Sequence, residues 1–132
     1  MLKLDHIIIT VPELNAAMED YRALGFTVNY GGRHASGATH NALICFQDGT
    51  YLELLASVED VPPGTPISPL LQRGEGLVGY ALVSDDLQAD VAALRTKGVT
   101  VSDVNEGSRK RSDGVEVRWR GVLIDGGGSP FI

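Results

Sequence analysis

The sequence predicts an α+β fold in which two βαβββ units build one half-open curved sheet, a cup with its helices on the outer face. Three observations carry that prediction. The chain opens on a β-branched run that ends at a proline. A helical pattern stopped by glycine follows it. The same order of elements then starts again 73 residues later.

Residues 4–11, Leu-Asp-His-Ile-Ile-Ile-Thr-Val, read as a buried strand. Alternation puts His6, Ile8 and Thr10 on one face and Ile7, Ile9 and Val11 on the other. Leu14, Ala17, Met18, Tyr21 and Leu24 recur at helical spacing, and Gly25 supplies the stop. Residues 26–30 form a strand, and 31–39 a glycine-rich loop carrying Arg33 and His34. Residues 40–46 and 50–56 are two further strands, joined by the turn Asp48-Gly49. This is unit one, residues 1–57.

Residues 58–76 are a connector rich in proline, in which Ile67, Leu70 and Leu71 are the apolar positions able to pack. Unit two, 77–132, repeats the pattern: a strand over 77–83, a helix start at Asp85-Asp86, the stop Gly98 and a strand at 99–101. An ungapped shift of 73 carries Leu14 to Leu87, Met18 to Val91, Arg22 to Arg95, Gly25 to Gly98 and Val28 to Val101. The sequence reaches Pro130-Phe131-Ile132 where the last strand should be under way, so that strand is expected either to be unusually short or to continue in a tail beyond these residues.

The totals restrict function. The 132 residues suffice for one compact domain, with 43% apolar and 21% charged residues. A net charge of −6 argues against nucleic acid or an anionic membrane as partner. No apolar run reaches the roughly 20 residues of a membrane span. Lys3 and Asp5 interrupt the first residues, so no signal peptide is expected there. The single Cys45 cannot form an internal disulfide, which suits a reducing, cytoplasmic setting, and it is expected to be a buried, inert thiol.

Each helix should cover the face of Ile7, Ile9 and Val11, which leaves the His6 face to line the cup. The shift of 73 sets Gly79 against His6 and Ala81 against Ile8, so the second wall is recessed where the first is polar. Glu53, a carboxylate inside an apolar strand, requires a cation, a metal or a proton. His6 and Glu53 are therefore the candidate pair. Imidazole with carboxylate suits zinc, manganese, iron(II) or nickel, although two ligands do not complete a site. The strand after the loop offers either His40 or Asn41 to the cup. Aligning the Asp-Gly turns at 48 and 125 pairs His40 with Val117 and Asn41 with Arg118. On that alignment His40 and Trp119 face the cup together, or Asn41 does so with Arg118 and Arg120, giving an anion site. Arg109-Lys110-Arg111 reads as a solvated loop.

Leu4-Asp5-His6-Ile7, residues 39–43 (Thr-His-Asn-Ala-Leu) and residues 48–54 (Asp-Gly-Thr-Tyr-Leu-Glu-Leu) resemble the vicinal oxygen chelate superfamily, most nearly its bacterial glyoxalase-like domain proteins. That superfamily includes glyoxalase I, extradiol dioxygenases and bleomycin-resistance proteins. The resemblance implies a divalent metal in the cup, ligated from the first and last strands of each unit. By position it gives His6 and Glu53 from unit one. Unit two supplies Gly79 on its first strand, and Pro130 or Ile132 on its last, none of them a ligand.

Two expectations follow. One is a metal-dependent lyase, isomerase or dioxygenase acting on a small substrate with adjacent oxygens, in which Glu53 doubles as the catalytic base. The other is a metal-free binding or antibiotic-sequestering protein, with Trp119 stacking on a ligand in the recess at Gly79. The resemblance also implies a homodimer.

Overall fold

In the computed structural model, residues 2–61, 63–65, 69–125 and 130–131 are described, with Pro130 and Phe131 described by backbone alone. The elements are β1 (Lys3–Thr10), α1 (Leu14–Ala23), β2 (Asn29–His34), β3 (Thr39–Cys45), β4 (Tyr51–Ser57), a 3-10 turn (Leu71–Arg73), β5 (Gly76–Val83), α2 (Leu87–Thr96), β6 (Asn105–Lys110), β7 (Glu116–Gly121) and β8 (Pro130–Phe131). The eight strands form one curled sheet in the order β7-β6-β2-β3-β4-β1-β5-β8. The predicted α+β cup is the fold found. No described helix is long and apolar enough to cross a membrane.

Local chemistry explains the helix ends. Both Glu13 carboxylate oxygens accept backbone N–H bonds, from Asn15 and Ala16, at the start of α1. Asp86 does the same for Ala89 at the start of α2. Gly25 and Gly98 end the helices with φ of 97° and 79°, a region that disfavours any side chain. Arg22 reaches back to the carbonyl of Val28 at 2.9 Å, and Arg95 to that of Val101 at 3.2 Å. A shift of 73 relates the two arginines and also their two acceptors.

The strand register carries the same relation. His6 pairs with Ala81 and Ile8 with Gly79, where β1 and β5 run antiparallel. A shift of 73 takes 6 to 79 and 8 to 81, so each pair is the image of the other. At the second junction Arg33 pairs with Lys110 and His34 with Arg109, which a shift of 76 exchanges in the same way. Strand β4 runs parallel to β1, as β8 does to β5.

The faces separate as expected. Ile9, Val11, Leu52, Leu54, Ala42 and Ile44 pack under Leu14, Ala17 and Met18 of α1. A second core places Val91 of α2 against Val101 and Val122. His6, Glu53 and Asn41 are left on the concave face.

Five expectations are corrected. Residues 31–34 are strand rather than loop, because they gain partners in β3 and β6, and the strand foreseen at 26–30 begins only at Asn29. Residues 105–110 are likewise strand β6, so Arg109 and Lys110 are not in a solvated loop. The strand foreseen at 99–101 reduces to one bridge, Val101 to Ile124. Cys45 is exposed because it shares the open concave face with Asn41 and pairs with Tyr51, while its neighbour Ile44 turns under α1. Leu70 and Leu71 of the connector do pack, whereas Ile67 lies outside the described residues.

Candidate functional site

The polar side chains of the concave face converge on Glu53, which is 9% exposed and central in the sheet on β4. Asn41 on the neighbouring strand donates its amide N–H to Glu53 Oε1 at 2.6 Å. His6 Nε2 lies 3.4 Å from Glu53 Oε2, and His34 Nε2 3.7 Å from Oε1. Each imidazole is held from behind. His6 Nδ1 meets Asp5 Oδ2 at 2.7 Å, and Tyr51 stacks on the ring at 4.4 Å. His34 Nδ1 meets the Thr39 hydroxyl at 2.7 Å. Because the Asn41 amide N–H points at His34 Nε2 across 3.4 Å, we assign the His34 proton to Nδ1.

The electrostatics divide the two histidines. Burial works against a charge on His6, but contact with Glu53 and Asp5 outweighs it and holds the pKa above 6.5. Burial likewise opposes the Glu53 anion, and its bonds to His6 and Asn41 outweigh that and keep it ionised. His34 is different. Burial lowers its pKa, Glu53 only partly offsets this, and the Arg109 charge adds to the lowering. Below the raised His6 pKa the cluster is an ion pair, His6 with Glu53, beside an imidazole whose pKa is lowered. Burial also raises the Tyr51 phenol, which stays protonated.

Unit two adds an aromatic wall. The Trp119 ring meets His34 edge to face, with centroids 5.9 Å apart. It can lie there because β6 presents Gly107 beneath it. A Cβ on Gly107 would fall 2.3 Å from Trp119 Nε1. Gly31 does the same for Asn41, where a Cβ would fall 2.2 Å from Oδ1. Asn41 Oδ1 is buried and without a hydrogen-bond partner. Arg109 donates to the Gly31 carbonyl and so ties β6 to this floor.

The expected residues divide as follows. His6, Glu53 and Trp119 come together on the concave face. Asn41 rather than His40 faces Glu53. His40 turns to the α1 side, edge to face with Tyr30, beside a groove of about 460 Å³ that also touches Glu13 and Asp60. Burial and the Arg33 charge lower its pKa. Arg118 and Arg120 are exposed, and Arg118 pairs with Glu116 at 2.8 Å. The rule joining Asn41 to the two arginines fails because Asp125 follows Trp119 by six residues, whereas Asp48 follows Asn41 by seven. Asn41 therefore corresponds to Trp119, one residue along. Gly79 stands beside Ile8 rather than beside His6. His34 and Asn41 were absent from the candidate pair. His34 was read as loop, and its signal lay in the alternation that the strand continues through residue 34.

The register also tests the metal that the resemblance implies. Ile8 pairs with Glu53, and the equivalent Ala81 pairs with Phe131, neither Pro130 nor Ile132. Unit two therefore offers glycine and phenylalanine where ligands would stand, and a metal shared by both units does not fit. Among the described residues no three His, Cys, Asp or Glu side chains are grouped to hold a metal ion.

The sequence pattern of the glyoxalase-like domain family matches residues 4–131. A hypothetical protein from Staphylococcus aureus superposes with a TM-score of 0.82 at 21% identity, covering 99% of this chain and 57% of that one. This chain thus spans little more than half the length of that protein, and the likeness speaks for the fold. A Streptomyces coelicolor methylmalonyl-CoA epimerase, in complex with 2-nitronate-propionyl-CoA, superposes with a TM-score of 0.67 at 29% identity, covering 98% of this chain and 94% of that one. The Mycobacterium tuberculosis methylmalonyl-CoA epimerase gives 0.68 at 25%, covering 97% and 84%. No curated protein sequence matches the chain.

Proposed function

Because the chain belongs to the glyoxalase-like domain family, we propose that its concave face binds a small organic ligand without a metal shared between the units. This is the manner of the ligand-sequestering members of the vicinal oxygen chelate superfamily. The observation that carries the reading is the convergence of His6, Asn41 and His34 on Glu53 beside the partly exposed Trp119. The indole offers a stacking surface to a planar ring. The Glu53 carboxylate offers an acceptor to a hydroxyl or amide of the ligand. Arg118 and Arg120, exposed on the face of β7 opposite Trp119, play no part in this reading.

The test is a panel of aromatic and peptide-like compounds in chelator-treated buffer, read by melting temperature and by emission of the sole tryptophan. Compounds that stabilise the protein and change Trp119 emission support the reading. A panel in which none does either would sink it.

A second reading is an enzyme of the metal-dependent lyase, isomerase or dioxygenase kind, acting on a substrate with adjacent oxygens. Two observations favour it: two imidazole nitrogens face one carboxylate, and the epimerase likeness spans nearly the whole chain. In that reading His6 and Glu53 would be the two protein donors, with water completing the shell, and an acyl thioester is the first substrate to try. Metal analysis of protein purified without chelator decides between the two. A stoichiometric divalent ion lost in a His6→Ala variant would replace the first reading by the second.

We also propose a homodimer, for which sedimentation should give twice the 14.1 kDa chain mass.

A further inference from the structure

The described end of the connector, residues 69–75, lies on the concave side of the sheet. Leu70 and Leu71 pack on the concave face against Ile8, Leu55 and Val78. Thr10, also on that face and buried, donates its hydroxyl to the carbonyl of Gly74 and lies 3.3 Å from that of Gly76. Arg73 donates to the Val78 carbonyl at 2.7 Å. The segment is therefore fastened at three points along β1 and β5.

Its position relative to the polar cluster is set by strand geometry. Ile8 follows His6 by two residues on β1, and Leu55 follows Glu53 by two on β4, each on the same face. One side-chain step, about 7 Å, separates the charged cluster from the apolar plug. Gly79, the recess foreseen in unit two, stands beside Ile8 and so falls at the plugged end.

We infer that Leu70 and Leu71 are specificity-determining residues: they occupy the apolar end of the cup and limit the ligand to a short, planar molecule with its polar group toward Glu53. The inference rests on the proposed ligand-binding reading for the direction of the polar group, and on packing alone for the plug. Space that would take a longer apolar tail is filled by the protein's own leucines.

The experiment compares the wild type with Leu71→Ala and with Leu70→Ala/Leu71→Ala, using two probes. Toluene carries no polar group and tests the plug by itself. It should raise the melting temperature of the variants and leave the wild type unchanged, because truncating the half-buried leucines opens an apolar recess against Ile8, Leu55 and Val78. A series from phenol to 4-hexylphenol tests the ligand, followed by Trp119 emission. Affinity should stop rising with chain length early in the wild type. In the variants it should keep rising, about fourfold for each methylene that enters the vacated space. If toluene acts alike on all three proteins, the plug is refuted. If toluene separates them while no phenol binds any, the plug stands and the ligand reading falls. If the phenols bind with the same length dependence throughout, the specificity role is refuted. The single variant Leu71→Ala keeps the comparison available if the double variant does not fold.

Discussion

Trp119 of β7 meets His34 of β2 with ring centroids 5.9 Å apart and planes at 83°, although the two residues belong to different units. The contact makes the only tryptophan of the chain a reporter on the candidate site. A protonated imidazole against an indole quenches its emission, and a neutral one does so far less. Burial lowers the His34 pKa below 6.5, so His34 is neutral at pH 7. Trp119 emission should fall in a single step centred below pH 6.5. His34→Gln should abolish the step while leaving the rest of the spectrum in place. A step centred above pH 6.5, or one that survives His34→Gln, would contradict the placement of the ring.

The ion pair of His6 with Glu53 predicts a stability maximum in mildly acidic solution. The His6 pKa is raised in the folded protein, so its contribution is complete below about pH 6.5 and is lost as pH rises through the folded value. The Glu53 pKa is lowered, so its contribution is complete above about pH 4.5 and is lost as pH falls through the folded value. Between those limits both are present. Glu53→Ala leaves the His6 charge without its main partner and should cost about 3–5 kcal/mol in that window. Denaturant midpoints measured from pH 4 to 9 give the comparison. A cost for Glu53→Ala that is the same at every pH would show that the pair carries no charge.

Gly31 and Gly107 predict unequal effects from the same substitution. At both, a new Cβ would fall within 2.3 Å of the side chain lying above it. Asn41, above Gly31, is 3% exposed and bonded to Glu53, so it has nowhere to go. Gly31→Ala should destabilise by about 1–3 kcal/mol. Trp119, above Gly107, is 42% exposed and can swing outward. Gly107→Ala should cost less stability and shift Trp119 emission to the red as the ring enters water. Equal losses with unchanged emission would contradict the two floors.

These residues also show what could be read from the chain alone. The alternating strand of His6, the glycine stops and the shift of 73 are local patterns, and the fold follows from them. Glu53 was conspicuous because a carboxylate in an apolar strand demands a partner. His34 was not, because Gly31 and Gly32 made its strand look like a loop. Only pairing with β6, 76 residues further on, turns it into sheet. Trp119 and Asn41 came out one residue apart because a turn served as the anchor. A turn signal does not fix the number of residues between it and the strand before it, which is seven from Asn41 to Asp48 and six from Trp119 to Asp125. The connector's leucines were visible as apolar, but their side of the sheet is a tertiary fact, set by Thr10 and Arg73.

Arg109 and Glu53 offer the sharpest check, because they act on His34 in opposite directions. The Arg109 charge lowers the His34 pKa, and the Glu53 charge raises it. Arg109 also donates to the Gly31 carbonyl, so Arg109→Lys keeps the charge while giving up the planar guanidinium contact. Arg109→Met should move the Trp119 emission step to higher pH, and Arg109→Lys should leave it nearly in place. Glu53→Gln removes the favourable carboxylate and should move the step to lower pH. The order of midpoints, Arg109→Met above wild type and wild type above Glu53→Gln, is therefore fixed by charge alone. A titration that reversed this order would mean that His34 does not sit between the two groups, and the unit-one site would have to be redrawn.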